Sequence, residues 1–100
     1  MTHHGIEFPS AVLAAFCRRH HIRRLSLFGS ILRDSFRADS DVDMLVEFDA
    51  EHVPGLLRLA AMERELSEII GRQVDLRTPG DLSRHFRDRV LAEAEVQYAA

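Results

Sequence analysis

The chain has no lysine; all 13 of its basic residues are arginines, set against 16 acidic ones for a net charge of −3. An acidic balance argues against non-specific nucleic-acid binding as the main task, because such binding comes mostly from neutralising phosphates. Cys17 is the only cysteine, which excludes an internal disulfide. No apolar run approaches the roughly 18 residues of a membrane span. Residues 1–7 have neither the basic start nor the apolar stretch of a signal peptide, so a cytoplasmic protein is expected. Internal repeats, low-complexity segments and long linkers are also missing. What remains is an ordinary globular composition, 46% hydrophobic and 29% charged. One hundred residues supply one core, and a single domain over 1–100 is expected.

Local patterns predict the order α-β-(short α)-β-α-β-α. Ser10 is a candidate N-cap for a helix over 11–21 with an apolar stripe of Val12, Leu13, Phe16 and Cys17. A short strand over 24–28 ends at Gly29-Ser30, with a helical turn or two within 31–36 and a polar loop over 37–40. Residues 41–48 give the clearest strand: Val42, Met44, Val46 and Phe48 point one way, and Asp41, Asp43, Leu45 and Glu47 the other. The longest helix is predicted over 54–70, with Leu56, Leu59, Met62, Leu66, Ile69 and Ile70 inside and Gly71 just past its end. A third strand over 73–77 sets Val74 and Leu76 against Asp75 and Arg77. After the turn at Thr78-Pro79-Gly80, Asp81 is expected to cap a last helix burying Leu82, Phe86, Val90, Ala94 and Tyr98. The expected fold is α/β or α+β: a small mixed sheet with a three-strand core, helices on one face and an acidic face left open to a ligand.

Chemistry concentrates at two points. Asp41 and Asp43, two apart on a strand, leave the same face with Cα atoms about 7 Å apart, so their carboxylates can converge on one divalent cation or on a pair. Hard oxygen donors of this kind suit Mg²⁺, which completes its shell with water and substrate phosphates. Asp75 alternates in the same sense on the next strand and is a candidate third carboxylate. Three such groups on one face repel one another without a cation, so their grouping is hard to explain as stabilisation. Ahead of them, Gly29-Ser30 follows a strand and opens a helical turn, offering backbone N–H groups and a hydroxyl to an anion. A phosphate cradle ten residues before a metal-binding pair is what a triphosphate–Mg²⁺ site requires.

Gly29-Ser30-Ile31-Leu32-Arg33 followed by Ser40-Asp41-Val42-Asp43-Met44-Leu45-Val46 resembles the Gly-Ser-X₁₀-Asp-X-Asp signature of the DNA polymerase beta-like nucleotidyltransferase superfamily. It looks most like the minimal nucleotidyltransferases, the antitoxin half of HEPN/MNT toxin–antitoxin pairs, and Gln73-Val74-Asp75-Leu76 is similar to the family's third-carboxylate strand. The resemblance implies the nucleotidyltransferase fold and these roles: Gly29 and Ser30 on the β/γ-phosphates, Asp41, Asp43 and Asp75 on Mg²⁺, Asp75 also helping to deprotonate the acceptor, and Arg33 near phosphate or acceptor. It implies AMP transfer from ATP to a hydroxyl of a partner protein, a HEPN-type toxin. Relatives that modify small molecules or nucleic acids generally carry an extra acceptor-binding domain, for which this chain has no residues left. Asp34 stands where many members have glycine, an added negative charge beside the site unless it pairs with Arg33 or Arg37. The alternative reading is a non-catalytic module that neutralises a toxin by covering it.

Other residues have plainer expectations. The adjacent pairs His3-His4 and His20-His21 do not share a face and lack a supporting cysteine pair, so no histidine metal site is expected. Cys17 reads as a small core residue, Glu47 as outside metal reach, and Arg77 as exposed or touching substrate. Arg18, Arg19, Arg23 and Arg24 read as a solvated face near a helix end, where they suit the dipole, or as a surface for an acidic partner or RNA.

Overall fold

The computed structural model describes residues 2–100. Its elements run β1 (Thr2–His3), β2 (Ile6–Glu7), α1 (Ser10–Arg19), β3 (Ile22–Phe28), β4 (Val42–Phe48), α2 (Leu56–Ile70), β5 (Val74–Arg77), α3 (Arg87–Glu93) and β6 (Glu95–Ala99), with short 3-10 turns at Gly29–Leu32, Ala50–His52 and Pro79–Asp81. β1 and β2 form a small hairpin around His4 and Gly5, both at positive φ as a tight hairpin turn demands. The main sheet has the order β5-β4-β3-β6. β4 is parallel to β5 and antiparallel to β3. The predicted mixed three-strand core is therefore β3, β4 and β5, and β6 extends it antiparallel to β3.

The buried side chains Leu13, Phe16 and Cys17 of α1 and Met62, Leu66 and Ile70 of α2 share one core with Leu25 and Leu27 of β3, Val42, Met44 and Val46 of β4, and Val74 and Leu76 of β5. Both helices thus cover one face, as the strand alternation predicts. Each fully buried Leu or Phe contributes about 1.5–3 kcal/mol. The site face is not wholly polar: Ser26 and Leu45, paired across β3 and β4, are 2% and 1% exposed.

Several expectations are corrected. Ser10 is the first residue of α1 rather than its N-cap, a place held by Pro9 without a side-chain cap. Leu56 does not face the core but is 85% exposed, because α2 begins there and its buried stripe starts only at Met62. Gly71 closes α2 in the left-handed conformation (φ +78°), its N–H donating to Ser67 O, as predicted. The expected last helix is split. Asp81 reaches back to Thr78 N and Oγ1 instead of capping α3. Phe86 lies 61% exposed, and Tyr98 sits on β6 opposite Leu25. Apolar residues at every fourth position over 82–98 imitate a helix; pairing with the free edge of β3 overrides that local pattern over Glu95–Ala99, which holds only the last of them, Tyr98.

Candidate active site

The site forms where β3 gives way to a turn beside the start of β4. Phe28, the last residue of β3, pairs with Asp43, and Gly29 then turns the chain at φ +76°. A Cβ on Gly29 would collide with Asp43 Oδ2 and lie 3.2 Å from its Cγ. Two demands meet on one residue, a left-handed backbone and space for a carboxylate. The 3-10 turn Gly29–Leu32 starts two residues ahead of the helical turn or two expected within 31–36, and the first amides of such a turn have no acceptor within it.

Parallel pairing puts Asp43 of β4 directly opposite Asp75 of β5, so both carboxylates leave the same face side by side. Asp41 immediately precedes β4 instead of lying on it, and is exposed. Burial, then the negative charge of Asp75, then that of Asp41 raise the Asp43 carboxyl above its ordinary range, against a lowering influence from Arg77. The three are one electrostatic unit centred on Asp43. Their oxygens do not all lie within 4.8 Å of one another. Arg77 is neither free nor remote: its Nε and Nη2 donate to Asp75 Oδ2 at 3.3 and 3.2 Å.

Residues that the sequence pattern did not single out hold this arrangement. β5 is a sheet edge, and its outward amides are satisfied from α2: Ser67 Oγ accepts from Val74 N at 2.9 Å and Glu63 Oε2 from Leu76 N at 2.8 Å. Asp75 is thereby fixed between β4 and α2, and an exposed edge is covered. The loop from the Gly29 turn to Asp41 is tied by Arg72, whose Nη2 donates to the carbonyls of Arg37, Ala38 and Ser40 at 3.2, 3.0 and 2.7 Å. Arg72 also lies over the Phe36 ring. From the N-terminal hairpin, His4 Nε2 meets Ile31 O at 3.1 Å. The one local signal for such residues was an arginine directly after the helix-ending Gly71.

Arg33 follows the turn, donates its N–H to Ser30 O and pairs with Glu93 of α3 at 3.6 Å. No ion pair joins Asp34 to Arg33 or Arg37 among the described residues. A cleft of about 540 Å³ opens between the turn and α3, lined by Phe28, Gly29, Arg33, Arg89 and Glu93. None of the three carboxylates lines it; Gly29, packed on Asp43, belongs to both the cleft and the carboxylate site, and the volume is in the range of small-ligand clefts.

Cys17 is fully buried and its thiol is pushed up to about 12, chiefly by burial, an inert core residue as predicted. Glu47 pairs with Arg24 at 3.7 Å. Within the arginine cluster, Arg19 and His20 both engage Glu65 of α2, so part of that surface is already neutralised. His21 lies beside Asp49 and His52 from beyond β4, one ligand atom of each within 4.8 Å of the others.

A glycine turn packed against paired carboxylates at one end of a mixed sheet is the layout of a nucleotidyltransferase-type site. The sequence profile of the nucleotidyltransferase domain matches residues 10–97. The protein adenylyltransferase MntA of Thermococcus cleftensis is 37% identical over 75 residues, covering 75% of this chain and 74% of that one. The crystal structure of a toxin–antitoxin with AMP-PNP is similar in fold, with a TM-score of 0.74 at 16% identity over 93% of this chain and 75% of the other. A tri-AMPylated Shewanella oneidensis HEPN toxin in complex with its MNT antitoxin gives 0.65, also at 16% identity, over 91% and 70%. The chain belongs to the nucleotidyltransferase domain family, among its minimal members. Among the described residues no helix is long and apolar enough to cross a membrane.

Proposed function

We propose that this chain transfers AMP from ATP to a hydroxyl group of a partner protein, and that it is the antitoxin that modifies and silences a HEPN-type toxin. The observation that carries the reading is the register that sets Asp75 beside Asp43, with Gly29 packed on the same carboxylate. The AMP-bearing partner of the MNT antitoxin of similar fold and the activity named for the 37% identical relative support the donor and acceptor classes.

The donor set fits Mg²⁺: three carboxylates, of which Asp43 is held above its ordinary range by burial and by the other two, favour a hard divalent cation. Asp41, Asp43 and Asp75 would hold it, and when bound it would offset charge on the phosphate oxygens. Gly29 and Ser30 cradle the β/γ-phosphates from the turn, and Arg33 adds a positive charge at the wall of the cleft. Asp75, held by the Nη2 donor of Arg77, takes the proton from the acceptor hydroxyl. The freed oxygen bonds to the α-phosphorus as the bond from that phosphorus to the bridging oxygen breaks, and pyrophosphate leaves.

Incubation of the chain with its partner toxin, ATP and Mg²⁺, read by intact mass, tests this. The parent adds AMP to the partner. Asp75→Asn still binds it but loses transfer by ~10²–10⁴-fold, the usual weight of a general base, and no longer silences it at matched low concentration. Full silencing by Asp75→Asn with no added mass would replace the enzyme by a module that acts through coverage alone.

A further inference from the structure

At the opposite end of β4 from the carboxylates lies a second donor set that nucleotide transfer does not use. His21 ends the turn after α1, while Asp49 directly precedes the 3-10 turn after β4 and His52 ends it. One ligand atom of each lies within 4.8 Å of the others. The two imidazoles stack with centroids 3.9 Å apart and planes inclined by 12°, so one ring must turn out of the stack for both in-plane nitrogen lone pairs to meet on one ion. The backbone supports the meeting: Asp49 N donates to His21 O at 3.2 Å and His52 N to Asp49 O at 2.9 Å. His21 holds the left-handed conformation, φ +58°, uncommon for a residue with a Cβ. Histidine is among the side chains that enter this region most readily, and the position just past a helix cap commonly uses it.

From these residues we propose a zinc site formed by His21, Asp49 and His52. Two imidazole nitrogens and one carboxylate oxygen suit Zn²⁺ rather than Mg²⁺, which prefers an all-oxygen shell. Three protein ligands leave a fourth position for water. An adjoining cleft of about 200 Å³, lined by His20, His21, His52 and Arg58 among others, admits the ion and its water. The ion staples the α1–β3 turn to the β4–α2 connection. Six residues of extended chain separate Asp49 from Asp43, roughly 20 Å, so this cation and the one at the carboxylates are independent.

The test is zinc binding by the full chain after chelator treatment, followed by calorimetric titration and thermal melting with ZnCl₂ and by the visible spectrum with CoCl₂. The parent takes up one equivalent at this site, gains at least about 5 °C in Tm at a hundredfold excess over Kd, and shows a Co²⁺ spectrum of nitrogen and oxygen ligation. His52→Ala and Asp49→Asn each weaken binding by more than the ~10–100-fold typical of losing an outer-shell partner. Both positions lie on an exposed turn outside the core, so the fold survives. Asp43→Asn leaves zinc binding unchanged. A parent that binds no zinc at one equivalent, affinity that survives both substitutions, or loss of it in Asp43→Asn instead would each reduce the His21–His52 pair to a stacking contact.

Discussion

The two ends of β4 carry donor sets built in different ways. At the start of the strand, Asp41 and Asp43 come from one short stretch, Asp75 arrives by parallel register, and every donor is a carboxylate whose charge opposes its neighbours'. At the far end, His21 and His52 come from two turns that meet only after the sheet forms, and their imidazoles stack face to face. The first set is costly without a counter-charge and is held by its surroundings, through Gly29, Arg77, Ser67, Glu63 and Arg72. The second costs little to assemble. A site that must receive a highly charged substrate is expected to carry that repulsion, because charge placed for a transition state is rarely the most stable arrangement without one.

The sharpest break between the two ends is Asp43→Asn. It should abolish transfer, by at least ~10²-fold, while the far end stays intact, as near-ultraviolet circular dichroism and melting would show; activity within a few-fold of the parent would remove Asp43 from the reaction. Next is Gly29→Val, whose side chain meets Asp43 and whose backbone alone costs about 1–2 kcal/mol in the left-handed region. Titration with a non-hydrolysable ATP analogue and Mg²⁺ should rank it well below Ser30→Ala, which loses one hydroxyl contact. If neither weakens binding, the triphosphate does not lie on this turn.

Arg72→Ala sharpens the comparison without touching a donor. It frees three carbonyls of the loop before Asp41 and should cost about 1–3 kcal/mol, the range for hydrogen bonds from a charged group. The expected readouts are a lower Tm and a several-fold loss of transfer, with a zinc response like the parent's. An unchanged Tm would mean that the loop is held by Phe36 and the hairpin alone.

The smallest effect is a pH dependence confined to the carboxylate end. Because the folded Asp43 carboxyl is raised above its unfolded value, chiefly by burial and Asp75, the folded state binds its proton more tightly than the unfolded chain. Ionising it therefore opposes folding, an opposition absent below the unfolded pKa of about 4 and growing as pH rises past it. Metal-free Asp43→Asn should melt above the parent at pH 7, and the gap should close as pH falls toward 4. A gap independent of pH would assign the change to packing.

How much of this was legible in the chain differs between the two ends for a physical reason. The glycine turn and Asp41-Val42-Asp43 lie within fifteen residues, so spacing and alternation alone place them near one another. Asp75 was readable because β5 alternates cleanly over Val74–Arg77. His21 carried no such signal: its neighbours pointed to a helix end, and nothing local connects it to Asp49 or His52. Arg72, Glu63 and Ser67 look like ordinary surface residues of α2 and its exit, since the groups they satisfy are backbone atoms on other elements. Tyr98 was misplaced because its fourfold spacing from Ala94 and Val90 fits a helix as well as a strand start.

The sequence by itself determined the two long helices, the three core strands and the identity of the carboxylates. Those follow from period and spacing within one element, where the physics is local. Only the tertiary structure decided that β4 and β5 run parallel with Asp43 opposite Asp75, that the last five residues before the end pair with β3, and that the two turns beyond β4 and before β3 bring two histidines into contact. Each depends on which edges and turns find one another once the core is buried. That choice is made by the packing of the whole chain, because a strand edge or a turn carries no mark in its own residues of the partner it will meet.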